Sequence, residues 1–462
     1  MSVPNTEEVL DPELSDGAGI AANELAESEG EPSGKFRRWI TKGGLAILDQ
    51  GLISGSNFLV SLLLARWLAQ DQYGAFSVAF SVFLLLSYVY QSFLAEPQAV
   101  FSGSTYSKSL RGYLKTLLGM HLILTLFGLV LLGGAAGIAA AMGKEGGLPG
   151  ALAGVAIASP CILFFWLMRR SFYMNLAPAR ATVGAFIYFV VVTGGLVFAY
   201  KHALMSPFSA YLLMALGALG TGFFLLSQIN KVLSPDTETP PTRSQAWHKH
   251  WEYGRWALAV SVVTWIPYYM YYPLVSMFGG MAQAGQLRAL MNLSLPMEQS
   301  YTALSILFLP YAARICRQQG LSASGPLVRR ITMLFVGGAI AYWAILIPFK
   351  TQVFHLLYGG KYMEVAHFIP FVAIGTTLWS AAFGPAILLR AIESPDSIFW
   401  ARLAASILSL LVGVPATKWW GLWGVVFSLI VANIAAFLIS MYILQRKSTS
   451  APVLNPVLQG EG

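Results

Sequence analysis

Twelve stretches of about twenty apolar residues, the length an α-helix needs to cross a bilayer core, recur between Leu45 and Leu444 and leave this chain few folds to choose from. They are Leu45–Leu64, Ala75–Ala95, Leu114–Ala141, Leu148–Met168, Thr182–Tyr200 and Pro207–Leu226 in the first half. In the second half they are Gly254–Phe278, Leu287–Ala312, Ile331–Phe349, Ala366–Leu389, Ile398–Pro415 and Gly421–Leu444. Backbone groups in lipid must be satisfied within the segment, so runs of this length are read as helices. Of the 462 residues 11% are charged, against about 25% in soluble domains. The sequence therefore predicts an all-α polytopic membrane protein.

Charge fixes the expected orientation. With the N-terminus inside, 22 of the 29 Lys and Arg fall on the cytoplasmic side and seven outside: Arg66, Lys144, Lys201, Arg288, Lys350, Lys361 and Lys418. Both termini are then cytoplasmic. Residues 1–34 hold nine acids and neither Lys nor Arg, and are read as an acidic, disordered cytoplasmic tail without a signal-peptide n-region. The organisation that follows is a six-helix lobe over 35–229, a polar cytoplasmic linker over 230–250 containing PDTETPPTR, a second six-helix lobe over 251–446, and a tail over 447–462. Gln72-Tyr73-Gly74-Ala75-Phe76 finds a weak echo in Gln283-Ala284-Gly285-Gln286-Leu287, so the halves are read as a parallel pseudo-repeat with the ligand site between them.

The first apolar run is not uniformly oily. Gln50, Ser54, Asn57 and Ser61 share one face, and Gly51 and Gly55 another that lets a neighbouring helix approach closely. Carrying the elbow register backwards sets that polar face against Ser261, Trp265, Tyr268 and Tyr272 of the seventh run, where Pro267 and Pro273 predict a bend. The aromatic stripe is read either as a sugar-stacking path or as ordinary packing. In the eighth run Arg288, Asn292, Gln299 and Thr302 fall within one arc with Glu298 at its edge. Asp49, Glu298 and Glu96 are candidate proton or cation sites, because acids within apolar helices are costly and face a partner or a cavity; Glu96-Pro97 is alternatively a helix terminus. His121 is read as a bundle residue. The isolated Cys161 and Cys316 form no disulfide framework or metal motif, and neither a metal nor a cofactor is expected.

The runs SGSNFLVSLLLARWLAQDQYGAFSVAFSVFLLLS, LLYGGKYMEVAHFIPFVA (Leu356–Ala373) and LLRAIESPD (Leu388–Asp396) resemble bacterial polysaccharide flippases of the O-antigen and exopolysaccharide type. These belong to the multidrug, oligosaccharidyl-lipid and polysaccharide exporter superfamily. The resemblance covers Leu45–Leu444 and its motifs are loose. It implies a V-shaped exporter bundle of two six-helix lobes in the bacterial inner membrane, opening to each side in turn. The implied cargo is an oligosaccharide on undecaprenyl pyrophosphate, and the implied partners are that substrate, membrane lipids and polysaccharide assembly proteins, with no nucleic acid.

On that reading Arg66, Arg255 and Arg288 are candidate phosphate ligands, with Arg169 and Arg170 at the inner mouth, and Gln50, Asn57, Asn292, Gln299, Tyr268 and Tyr272 are candidate glycan contacts. Arg66 and Arg288 are equally readable as cations that snorkel to an interface. Two other functions compete. A drug/cation antiporter of the same superfamily calls for an acidic, aromatic cavity, and a membrane polysaccharide polymerase or ligase calls for a large outside loop. The longest outer connection, around Lys350–Glu364, is short, so a non-enzyme is expected.

Overall fold

The computed structural model describes residues 34–143, 147–175, 177–321, 324–392 and 395–450; residues 1–33 of the acidic tail, the last twelve residues and Lys144 lie outside them. Within the described residues the chain is helical, and ten helices are long and apolar enough to cross a membrane, or eleven if one bent pair is a single span. The remaining expected run, Leu287–Ala312, is helical too but more polar.

By packing, the chain forms two compact units. The larger runs to Asn292 and takes in His355–Tyr362; the smaller holds Leu293–Phe354 and the chain from Met363 on. In the larger unit α1 is Gly34–Trp67, α2 Gln70–Tyr90, α3 Glu96–Gly103, α4 Leu110–Ala141, α5 Leu148–Ser171, α6 Pro178–Lys201, α7 Pro207–Ile229, α8 Arg243–Tyr269, α9 Tyr271–Gly279 and α10 Met281–Asn292. The smaller unit holds α11 (Leu295–Gln319), α12 (Gly325–Leu346), α14 (Ile369–Ala381), α15 (Phe383–Ala391), α16 (Pro395–Leu408), α17 (Val414–Trp420) and α18 (Leu422–Ser450). Helix α13 (Lys350–Tyr358) leads from Phe354 into the larger unit.

Prolines set the breaks. The expected bend of the seventh run is present, as α8 and α9 meet at 41° with Pro267 and Pro273 on either side. The eighth run is interrupted at Leu293–Ser294, because Pro296 in the first turn of α11 has no N–H to donate to the carbonyl of Asn292 four residues before it, and its ring crowds that carbonyl. A π-helical turn, Gln91–Ala95, joins α2 to α3 just before Pro97.

Helices α8 to α10 join α1 to α7 although the sequence places them beyond the 230–250 linker, because specific side chains fasten α8 along α2. Ser261 meets Ser92 at 3.1 Å, and Trp265 Nε1 donates to Ser81 O at 2.9 Å. His250 Nδ1 donates to Phe93 O at 2.7 Å within the π turn, and its Nε2 accepts from Tyr113 at 2.8 Å. Ser261 and Trp265 thus bond to the α2 side, where the carried-back register set their stripe against α1. The polar linker is pinned as well: Asp236 accepts from the amides of Arg111 and Gly112 at the start of α4, and Arg111 reaches back to Leu233 O.

Two further expectations change. Gly51 and Gly55 receive no neighbour among the described residues, since a Cβ added at either meets nothing within 4 Å. The echo segments, by contrast, touch each other. A Cβ on Gly74 would lie 1.7 Å from Met281 O and one on Gly285 would lie 2.4 Å from Gln70 O, so α2 and α10 cross backbone to backbone.

Candidate functional site

The crossing of α2 and α10 sets up a buried polar cluster. Ser61 near the end of α1, Tyr73 in the first turn of α2, and Asn292 at the end of α10 close a triangle. Ser61 Oγ lies 2.7 Å from Tyr73 Oη and donates to Asn292 Oδ1 at 3.0 Å, while Asn292 Nδ2 donates to Tyr73 Oη at 2.9 Å. All three are buried. One turn earlier on α10, Arg288 donates from Nε to Ser61 Oγ at 3.4 Å. Its guanidinium lies 5.1 Å from the centre of the Phe80 ring and 5.7 Å from that of Tyr272.

Arg288 is 9% exposed, and among the described residues no carboxylate pairs with it. Removing a charge from water without a counter-charge costs several kcal/mol, and two aromatic faces with a hydroxyl return only part of that. A guanidinium held in this way is suited to receive an anion, and its planar fork matches phosphate oxygens two at a time. The amide and hydroxyls beside it supply neutral hydrogen-bonding groups.

A second buried cluster lies on other turns of the larger unit. Asp49 on α1, 1% exposed, accepts from Tyr173 Oη at 2.7 Å and pairs with Arg169 Nη1 on α5 at 3.7 Å. Among the described residues Asp49 Oδ1 and Arg169 Nη1 have no hydrogen-bond partner. Glu96 opens α3 and is buried. Among the described residues no group of three or more His, Cys, Asp or Glu is placed to hold a metal ion.

The sequence candidates separate accordingly. Arg288, Asn292 and Tyr272 come together, with Ser61, in the first cluster. Gln50 donates to Ser54 one turn along α1 at 3.5 Å, and Asn57 is half-buried on the same helix. Tyr268 is exposed, and Arg255 is exposed over the Trp256 ring. Arg66 is exposed and donates to Leu356 O at 3.1 Å. The expected arc of the eighth run is divided by the break before α11: Gln299 and Glu298 belong to the smaller unit, where Glu298 accepts from Ser294 Oγ. Tyr73, Phe80 and Tyr173 are site neighbours that the residue pattern does not single out as candidates. Only Tyr73 carries a signal, since it sits inside the echoed elbow.

Lys361 has a different setting from the exposed cation its loop suggests. Its ammonium donates to Arg66 O at 2.9 Å and Leu68 O at 2.8 Å, the last carbonyls around the end of α1. Burial lowers its pKa from the usual lysine value.

In architecture the chain is similar to solved helical membrane transporters of the MOP superfamily. No family model matches the sequence, and no curated protein matches it. Solved structures match over nearly the whole length. An inward-facing conformation of a multidrug resistance MATE family transporter of that superfamily aligns with a TM-score of 0.74 at 11% identity, over 93% of this chain and 98% of that one. A MOP superfamily transporter from Pyrococcus furiosus, described as having a binding pocket of reverse polarity, gives 0.63 at 12% identity over 96% and 99%. The MATE multidrug transporter DinF-BH, solved in complex with a ligand, gives 0.63 at 15% identity over 91% and 98%. At such identities the likeness is one of fold.

Proposed function

We propose that this chain is an alternating-access exporter whose cargo is anionic: an oligosaccharide on undecaprenyl pyrophosphate, moved from the cytoplasmic to the periplasmic leaflet of a bacterial inner membrane. Solved structures of this fold in inward-facing and outward-facing conformations support the alternating access. The observation that carries the charge of the cargo is Arg288, a buried guanidinium with hydroxyl and aromatic neighbours and no carboxylate among the described residues. The glycan, the inner membrane, the cytoplasmic termini and polysaccharide assembly partners belong to this proposal through the sequence resemblance and the distribution of Lys and Arg.

The comparisons favour a second reading, a drug or organic-cation antiporter, because the MATE structures that share the fold are multidrug transporters and one of them was solved with a ligand bound. On that reading an acid must be available to exchange cargo for an ion, and Asp49, Glu298 and Glu96 are the proposed coupling residues. In its present setting Asp49 is already engaged by Arg169 and Tyr173.

The two readings separate in a binding measurement on the purified full chain in detergent, with undecaprenyl pyrophosphate as the anionic probe and tetraphenylphosphonium as the organic cation. Undecaprenyl pyrophosphate is expected to raise the thermal unfolding midpoint and tetraphenylphosphonium to leave it unchanged, with the pyrophosphate effect lost in Arg288→Gln. Stabilisation by the cation alone would establish the antiporter reading and overturn the anionic one.

A further inference from the structure

Eight residues taken from the sequence of the second half, His355–Tyr362, pack into the larger unit while the chain on both sides of them forms the smaller unit. Their backbone is bent for the purpose. Gly359, Gly360 and Tyr362 all have positive φ, at 65°, 84° and 63°, and for a tyrosine this is a strained conformation that packing must hold in place. The packing is complete: Tyr362 is 0% exposed, with its ring edge-on to Tyr358 at 5.5 Å and to Tyr73 at 6.2 Å. Tyr358 Oη donates to Ala289 O at 2.8 Å, beside Arg288. Hydrogen bonds run both ways between this strap and α1, from Lys361 to Arg66 O and Leu68 O and from Arg66 to Leu356 O.

We propose that this strap is a latch over the Ser61–Tyr73–Asn292–Arg288 cluster and that Lys361 is its fastening. The inference rests on the alternating-access reading and adds to it the residues that set which side is open. Both ends of the strap are continuous with the smaller unit, so movement of that unit pulls on it. Tyr362 and Tyr358 touch the elements that carry the cluster, so lifting the strap uncovers the cluster at the end of the unit where α1 stops. Lys361 suits the role because its hold consists of charge-assisted bonds to two helix-end carbonyls, which water replaces once the strap lifts. Arg66 is assigned to the same latch, not to the cargo.

The test uses the full chain with Cys161 and Cys316 replaced by Ala and Ser61→Cys as the reporter, in sealed vesicles of each orientation. A membrane-impermeant maleimide is added from outside. A thiol at position 61 is shielded while the latch is closed. Lys361→Met is expected to raise its labelling from the side at which α1 ends by about tenfold, the change that losing charge-assisted hydrogen bonds makes in a two-state equilibrium. Arg66→Met is expected to raise it less, and Lys361→Arg to leave it near the unmodified rate. Arg66→Met lies at an exposed position and keeps the test open if Lys361→Met fails to fold. An unchanged or lower labelling rate in both methionine variants, with labelling still present, overturns the latch and leaves alternating access standing. No labelling from either side in any variant overturns both.

Discussion

Gly74 and Gly285 face each other across the α2–α10 crossing, and each lies against the carbonyl one helical turn before the other: Gly74 against Met281 O, Gly285 against Gln70 O. The contact is reciprocal, as expected where two related segments meet about a local twofold, and Gln286 Nε2 donating to Gln70 Oε1 at 3.2 Å continues it. Neither position has room for a methyl group. Gly74→Ala and Gly285→Ala are therefore expected to destabilise the protein by about 1–3 kcal/mol each, the usual cost of overpacking, read as a fall in the thermal unfolding midpoint. Gly220→Ala, where an added Cβ meets nothing within 4 Å, is the control and should not lower it. Equal behaviour of the three variants would mean that the crossing is looser than the structure shows.

The helices are legible in the sequence because lipid allows so little else, and the bend at Pro267 and Pro273 is legible because proline removes a donor wherever it sits. The echo at Gly74 and Gly285 is visible as a repeat, yet nothing in it says that the two copies touch. The arc of the eighth run fails for a local reason. It assumes one continuous helix, and Pro296 ends that continuity between Asn292 and Gln299. Lys361 reads as an outer-loop charge, since its bonds go to carbonyls of α1 almost three hundred positions away in the chain, and main-chain acceptors leave no mark in a residue pattern. Tyr173 and Arg169 are illegible as partners of Asp49 for the same reason of distance.

Asp236 should matter more than a residue of a polar linker ordinarily does. Its two oxygens accept from the amides of Arg111 and Gly112 at 2.9 and 2.8 Å and so complete the N-terminus of α4 from a distant part of the chain. Asp236→Ala is expected to cost about 1–2 kcal/mol, as the loss of a helix cap does, and to speed proteolysis within 230–242. Asp236→Asn keeps one acceptor and should lie between. Cleavage as slow in Asp236→Ala as in the unmodified chain would mean that other contacts hold the linker.

The Asp49–Arg169 pair yields a prediction in two measurements. Removing one member of a buried pair leaves the other charge uncompensated, so Asp49→Asn and Arg169→Gln should each destabilise by about 3–5 kcal/mol and the double variant by less than their sum. If Asp49 also couples transport to an ion, Asp49→Asn will abolish dependence on a proton or sodium gradient, whereas Tyr173→Phe, which removes only the 2.7 Å hydrogen bond, will keep it. Gradient dependence that survives in Asp49→Asn makes the pair a structural contact.

The last prediction concerns Arg288 and separates its charge from its shape. The guanidinium is fixed by Ser61 on one edge and by the Phe80 and Tyr272 rings, an arrangement that holds the plane of the fork as well as the charge. An inside-negative membrane potential assists outward movement of a phosphate by about 2.3 kcal/mol per charge per 100 mV, so on the proposed anionic-cargo reading the protein's task is to hold the headgroup out of lipid on the way. Lysine at this position supplies the charge but neither the fork nor the stacking. Export of glycan, measured in a strain lacking the native protein with membrane levels matched, should fall in part for Arg288→Lys and nearly completely for Arg288→Gln. Apparent affinity for the pyrophosphate should fall in the same order, because on the proposed reading Arg288 acts by binding the headgroup and not by setting the rate of the conformational change. Were Arg288→Gln to export as well as the unmodified chain, the buried cation would be a packing residue of the α2–α10 crossing and the anionic cargo would lose its support.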